Sequence, residues 1–155
     1  MKIEIGRLRQ EPGAVEAFDF LLSPEGGEED YVLLTPIHVR GTLTNGGNDF
    51  RLAGRLEAKV RLACSRCLSP VEQDLAVDVE EDYGYEEFAE VDPVIDLGDI
   101  AGQIWLTSIP MQVLCRENCK GLCPQCGKDL NEGDCPCPKE EIDPRLAALK
   151  DLFHK

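Results

Sequence analysis

The chain has 155 residues, 43% of them hydrophobic, which suits one compact domain with a small appendage. Sixteen basic against 30 acidic side chains give a formal charge of −14, which disfavours a global electrostatic hold on nucleic acid or an anionic membrane. There is no apolar run of about 18 residues to span a bilayer. The opening Met1-Lys2-Ile3-Glu4-Ile5-Gly6 alternates charge with hydrophobe and lacks the apolar core of a secretory signal, so a cytoplasmic protein is expected.

In chain order, the segments around Ile3-Glu4-Ile5 and over residues 15–22 read as strands. Ile37, Val39, Gly41 and Leu43 then alternate with His38, Arg40 and Thr42, the period-2 signature of a half-buried strand. Asn45-Gly46-Gly47-Asn48-Asp49 tolerates positive φ and predicts a hairpin loop. Beyond it Leu52, Gly54, Leu56, Ala58, Val60 and Leu62 share one face, with Arg51, Arg55, Glu57, Lys59 and Arg61 on the other. After Cys64-Ser65-Arg66-Cys67-Leu68-Ser69-Pro70 the alternation resumes, Val71, Leu75, Val77 and Val79 opposing Glu72, Asp74, Asp78 and Glu80. This predicts an antiparallel meander with one wet face, curled into a sheet or small open barrel. The basic face of Arg51, Arg55, Lys59 and Arg61 is expected to pair across strands with Glu72, Asp74 and Asp78, in preference to contacting phosphate.

Further on, Asp96 is a helix N-cap with Asp99 three residues later, and Leu97, Ile100, Ala101, Ile104 and Ser108 form a helical stripe that Pro110 ends. Asp143-Pro144 followed by Leu146, Leu149, Leu152 and Phe153 predicts a short amphipathic C-terminal helix. The expected fold is therefore α+β: an antiparallel barrel-like sheet, a supporting helix, a cysteine-rich zinc-binding region and a terminal helix. Residues 1–94 would form the sheet region with its Cys-x-x-Cys knuckle, and residues 95–155 the helix, cysteine cluster and C-terminal helix of the same structural domain.

Eight cysteines carry the chemistry: Cys64, Cys67, Cys115, Cys119, Cys123, Cys126, Cys135 and Cys137. In a reducing cytosol clustered thiols point to metal more than to lasting disulfides. Eight sulfurs make two full tetrahedral sets, hence two zinc ions. The economical division gives Cys123, Cys126, Cys135 and Cys137 one ion and Cys64, Cys67, Cys115 and Cys119 the other, with interleaved choices such as Cys115 joining Cys126 left open. His38 and His154 are disfavoured as ligands. A structural zinc site supplies about 10–16 kcal/mol of apparent binding energy, comparable with the net stability of a domain, so metal would order the hydrophobe-poor stretch 115–137. Closed four-thiolate sites leave no position for a reactive water. No phosphate-cradling glycine loop and no nucleophile–histidine pair is evident, so no catalytic residue and no small-molecule substrate are expected and an enzyme is disfavoured. Arg66, Arg116 and Lys120, beside the thiols, are candidate partner-binding residues, since zinc knuckles present basic loops to RNA.

Three segments together resemble the YceD family, named for accumulation of large-subunit (23S) ribosomal RNA and long described as a domain of unknown function. They are Cys64-Ser65-Arg66-Cys67-Leu68, Cys119-Lys120-Gly121-Leu122-Cys123-Pro124-Gln125-Cys126-Gly127-Lys128-Asp129-Leu130-Asn131 and Asp143-Pro144-Arg145-Leu146-Ala147-Ala148-Leu149. The stretch from Ile95-Asp96-Leu97 to Ile109-Pro110 fits as well. The resemblance implies a bacterial cytosolic or plastid protein that supports processing or accumulation of large-subunit ribosomal RNA. The expected partner is that RNA or, given the acidic excess, a basic ribosomal protein or ribosome assembly protein. The competing expectations are a thiol redox or metal-handling protein using Cys64 and Cys67, and a zinc-ribbon regulatory adaptor.

Overall fold

A computed structural model describes residues 1–23, 31–87 and 94–138. Strand β1 (Lys2–Glu4) leads into helix α1 (Ile5–Gln10), followed by β2 (Val15–Leu22), β3 (Tyr31–Leu33), β4 (Ile37–Asn45), β5 (Asp49–Ala63) and β6 (Pro70–Gly84). A 3-10 turn (Tyr85–Glu87), β7 (Val94–Asp96) and helix α2 (Leu97–Ser108) complete the described elements. The fold is mixed α and β with antiparallel strands.

The meander expected from the alternation is β4-β5-β6. Its middle strand presents Phe50, Leu52, Leu56, Ala58, Val60 and Leu62 to the core, each buried, so one strand supplies much of the apolar face. β6 takes one edge of β5 over all of its 15 residues, from Asp49↔Gly84 to Ala63↔Pro70. β4 and β3 therefore share the other edge, and β2 pairs the far side of β4. The expected barrel-like curl is not observed as closure. Among the described strands β2 and β6 do not pair, and the sheet stays open.

Gly41 and Gly54 face one another across β4 and β5 for a steric reason. A Cβ on Gly41 would lie 2.3 Å from the Ala53 carbonyl oxygen and 2.7 Å from Phe18 Cζ, so the missing side chain admits the Phe18 ring. The wet face is an ion-pair lattice. Arg51 meets Asp82 at 2.8 Å, Arg55 meets Asp78 at 2.8 Å and Arg61 meets Glu72 at 2.7 Å, each pair directly opposed in the β5–β6 register. Lys59 reaches Glu72 at 3.9 Å rather than its register partner Asp74. All four basic residues thus pair across strands, but Arg51 takes Asp82 in place of an expected partner, and Asp74 has no ion pair among the described residues.

Helix α2 begins where expected. Asp96 accepts a hydrogen bond from the Gly98 amide at 2.9 Å and from the Met1 ammonium at 3.1 Å. Its buried residues are Leu97, Ala101 and Trp105, four apart, whereas Ile100 and Ile104 pack half-buried at the margin. Trp105 thus holds the buried place that the stripe assigned to Ser108. Ile5, read as strand, instead opens α1, whose buried Ile5 and Leu8 join the core. β1 pairs β7 in a separate two-stranded ladder. The predicted C-terminal helix lies outside the described residues.

At the β4–β5 turn Asn45 is 1% exposed. Its Nδ2 donates to the carbonyls of Leu8 at 2.8 Å and Glu11 at 3.1 Å, while its Oδ1 accepts from the Gly47 amide and the Tyr85 hydroxyl. One amide thereby satisfies the end of α1, the hairpin and the 3-10 turn together.

Candidate metal centre

Cys64 continues the inward-facing row of β5, two residues beyond Leu62, and is fully buried. The chain then makes a tight turn. The Leu68 amide donates to the Cys64 carbonyl at 2.9 Å, and the Cys64 amide to the Ser69 carbonyl at 2.9 Å. The same turn recurs at Cys123-Pro124-Gln125-Cys126-Gly127, with Gly127 N–H to Cys123 O at 2.9 Å and Cys123 N–H to Lys128 O at 2.8 Å. The fifth residue is left-handed in both, Gly127 at φ 72° and Leu68 at φ 61°.

The loop after α2 closes on the first turn. Ser65 and Val113 exchange hydrogen bonds at 2.8 and 3.1 Å, the Leu122 amide donates to the Arg66 carbonyl at 3.0 Å, and the Arg66 guanidinium donates to the Cys119 carbonyl at 2.8 Å. Gly121, at φ 76°, lies so close that a Cβ would sit 3.0 Å from the Arg66 carbonyl oxygen. These contacts bring Cys64, Cys67, Cys115 and Cys119 together, and a second group joins Cys123, Cys126, Cys135 and Cys137. In each group the sulfurs lie within 4.8 Å of one another, an arrangement that could hold a metal ion. All eight thiols are free, and the division is the economical one, without interleaving.

The first group is buried at Cys64, Cys67 and Cys119, with Val71 and Leu122 against it, and only Cys115 is exposed. In the second, Cys123 alone is buried. The electrostatics repeat between them. Backbone amides of Arg66 and Cys67 pull the Cys64 thiol down to about 6, and those of Cys126 and Gln125 do the same for Cys123, also to about 6. Burial, with hydrogen bonding to Cys67, pushes Cys115 up to about 12; hydrogen bonding to Cys126, then burial, pushes Cys137 up to about 12. Sulfurs this close cannot all ionise unaided, and a cation between them would remove that conflict.

Sequence reasoning missed Asn131. Its Nδ2 lies 3.4 Å from Cys119 Sγ and holds that thiol below its usual range, while its Oδ1 accepts from the Lys120 amide at 2.8 Å. Asn131 ends the longest family-like segment, which was the available signal. Of the candidate partner-binding residues, all exposed, Arg66 spends a donor on Cys119, and Arg116 and Lys120 flank the Cys115 and Cys119 thiols in sequence. His38 bonds Asp19 at 2.7 Å, away from either group, and His154 lies outside the described residues.

Among known proteins, the chain is 32% identical over 171 residues to the uncharacterized protein Rv2926c of Mycobacterium tuberculosis, covering 99% of this chain and 81% of that one. It is 29% identical to the uncharacterized protein YlbN of Bacillus subtilis, covering 99% and 96%. It is 23% identical to a chloroplastic protein of Arabidopsis thaliana named large ribosomal RNA subunit accumulation protein YCED homolog 1, covering 97% of this chain and 59% of that one. No solved structure matches at a significant level. Residues 52–153, which hold both cysteine groups, match the family described as large ribosomal RNA subunit accumulation protein YceD. The chain belongs to the YceD family.

Proposed function

We propose that this chain is a non-enzymatic, cytoplasmic zinc protein that supports accumulation or processing of large-subunit ribosomal RNA during ribosome assembly. The carrying observation is the gathering of all eight cysteines into two four-thiol groups inside the segment that defines the family. The donor chemistry suits zinc. Four Zn–S bonds of about 2.3 Å in a tetrahedron set sulfurs about 3.8 Å apart, and the sulfurs stand 3.8 Å apart for Cys64–Cys119 and 3.6 Å apart for Cys67–Cys115. Four protein ligands fill the coordination sphere, so each ion would brace loops and not activate water. Ribosomal RNA or an assembly protein would be the partner, with Arg66, Arg116 and Lys120 beside the first group as candidate contacts.

The test is depletion of the gene, with precursor and mature large-subunit RNA measured and the strain complemented by wild-type protein or by Cys64→Ser. Loss of mature large-subunit RNA, restored only by the wild type, supports the proposal; unchanged RNA overturns it. A thiol redox protein using Cys64 and Cys67 is the second reading, motivated by the low Cys64 thiol. It requires disulfide turnover at Cys64, whose burial is complete. Reductase activity lost in Cys64→Ser, in a variant that still folds, would favour it.

A further inference from the structure

β6 is a 15-residue strand paired to β5 along one edge. Over residues 71–82 its other edge pairs with no strand among the described residues. An unpaired edge presents a row of outward N–H and C=O groups that template a further strand. The sheet's apolar face also stops short there. Ala58 and Leu56 on β5 are buried, whereas their cross-strand neighbours Leu75 and Val77 on β6 are only half-buried, as if one more strand were needed to cover them.

The other face sets the partner's charge. β6 carries Glu72, Asp74, Asp78, Glu80, Glu81 and Asp82 and no basic residue. Glu72, Asp78 and Asp82 are matched by β5 arginines, but Asp74 and Glu80, on that same face, have no ion-pair partner among the described residues. A second copy of β6 would set carboxylates against carboxylates, which is repulsive.

We infer that this edge of β6, unpaired over residues 71–82 among the described residues, docks an extended, basic polypeptide segment of another protein, which adds to the sheet as a strand with alternating basic and apolar side chains. Main-chain hydrogen bonds supply the affinity in such a mode, and alternate side chains supply the selectivity. Basic residues would lie over Asp74 and Glu80, and apolar residues would cover Leu75 and Val77. The inference is independent of the metal groups and of the RNA phenotype.

The experiment titrates the full chain with a fluorescent synthetic peptide of alternating lysine and valine, and maps binding by amide hydrogen exchange. Three further arms use the peptide N-methylated at every second amide in either phase, the Asp74→Lys/Glu80→Lys double variant, and a single-stranded RNA oligonucleotide. Expected are saturable binding that weakens with salt, new protection confined to alternate amides of residues 71–82, and loss of binding for one N-methylated phase only, because half the amides of an added strand face β6. The double variant, whose melting curve reports that it folds, should bind about tenfold more weakly. No binding at about millimolar peptide, equal binding of both phases, unchanged affinity of the double variant, or protection of the same amides by RNA overturns the inference.

Discussion

Cys64 and Cys119 stand 55 residues apart in the chain and 3.8 Å apart at sulfur. The first ends the buried row of β5 and the second sits beyond α2, so their group joins the sheet to the cysteine-rich loops. Among the described residues the second group takes no cysteine from the sheet, and Cys123 alone of its thiols is buried. Elemental analysis of protein purified without added metal should give two zinc ions per chain. Cys119→Ser should lose one ion and lower the unfolding midpoint of the sheet, read through Trp105 fluorescence. Cys137→Ser should lose the other ion and leave that midpoint nearly unchanged. Equal destabilisation by the two substitutions would contradict the asymmetry.

Asn45→Ala removes four hydrogen bonds from a buried site and leaves the Leu8 carbonyl without its Asn45 donor. We expect a loss of about 2–4 kcal/mol in urea unfolding, because buried polar groups without partners are costly. Tyr85→Phe removes one of these bonds and should cost about 1 kcal/mol. A near-neutral Asn45→Ala would show the three segments to be held by other contacts.

Leu68 occupies the left-handed position that Gly127 holds in the equivalent turn, and it is 66% exposed. Leu68→Gly should therefore be neutral or stabilising, by up to about 1 kcal/mol, while Gly127→Ala should destabilise by about 1 kcal/mol. Thermal melts of both metal-loaded variants check the opposite signs. If Leu68→Gly destabilises instead, the leucine has a packing role that its exposure conceals.

The Met1 ammonium, followed by the Gly98 amide, holds the Asp96 carboxyl below its usual range. A depressed carboxylate contributes stability that is complete above its unfolded value of about 3.9 and vanishes as pH falls through the folded one. The melting-temperature gap between wild type and Asp96→Asn should thus be largest above pH ~4 and close below it. Because both proteins carry the same thiols, acid-driven metal loss cancels in the comparison. A gap that persists unchanged to pH ~2 would remove the carboxylate from the explanation.

Much of this architecture was legible where one physical signal dominated. Alternation found β4, β5 and β6, and Asp96 with Pro110 bracketed α2. Cysteine spacing suggested the observed division but could not decide it, since the contact of Cys115 with Cys67 depends on how the loop beyond α2 docks through Ser65 and Val113. Ile5 read as strand because Ile3-Glu4-Ile5 has period 2; the half-buried α1 that follows is set by docking on the core. β3 and β7, of three residues each, carry too little pattern to register. Asn45 read as a turn residue, and its burial depends on Leu8, Glu11 and Tyr85 converging from afar.

The pairing of β1 with β7, Lys2 opposite Asp96, also fixes an order of events. During translation β1 emerges, then waits about 5–20 s for β7 at an elongation rate of about 5–20 residues per second. Meanwhile the β4-β5-β6 hairpins close with short loops and need neither terminus. Assembly is thus expected to run from the middle outward, the amino end being fastened last. Pulse-labelled exchange during refolding should find the Ile3 and Ile95 amides among the latest to be protected, after those of β5.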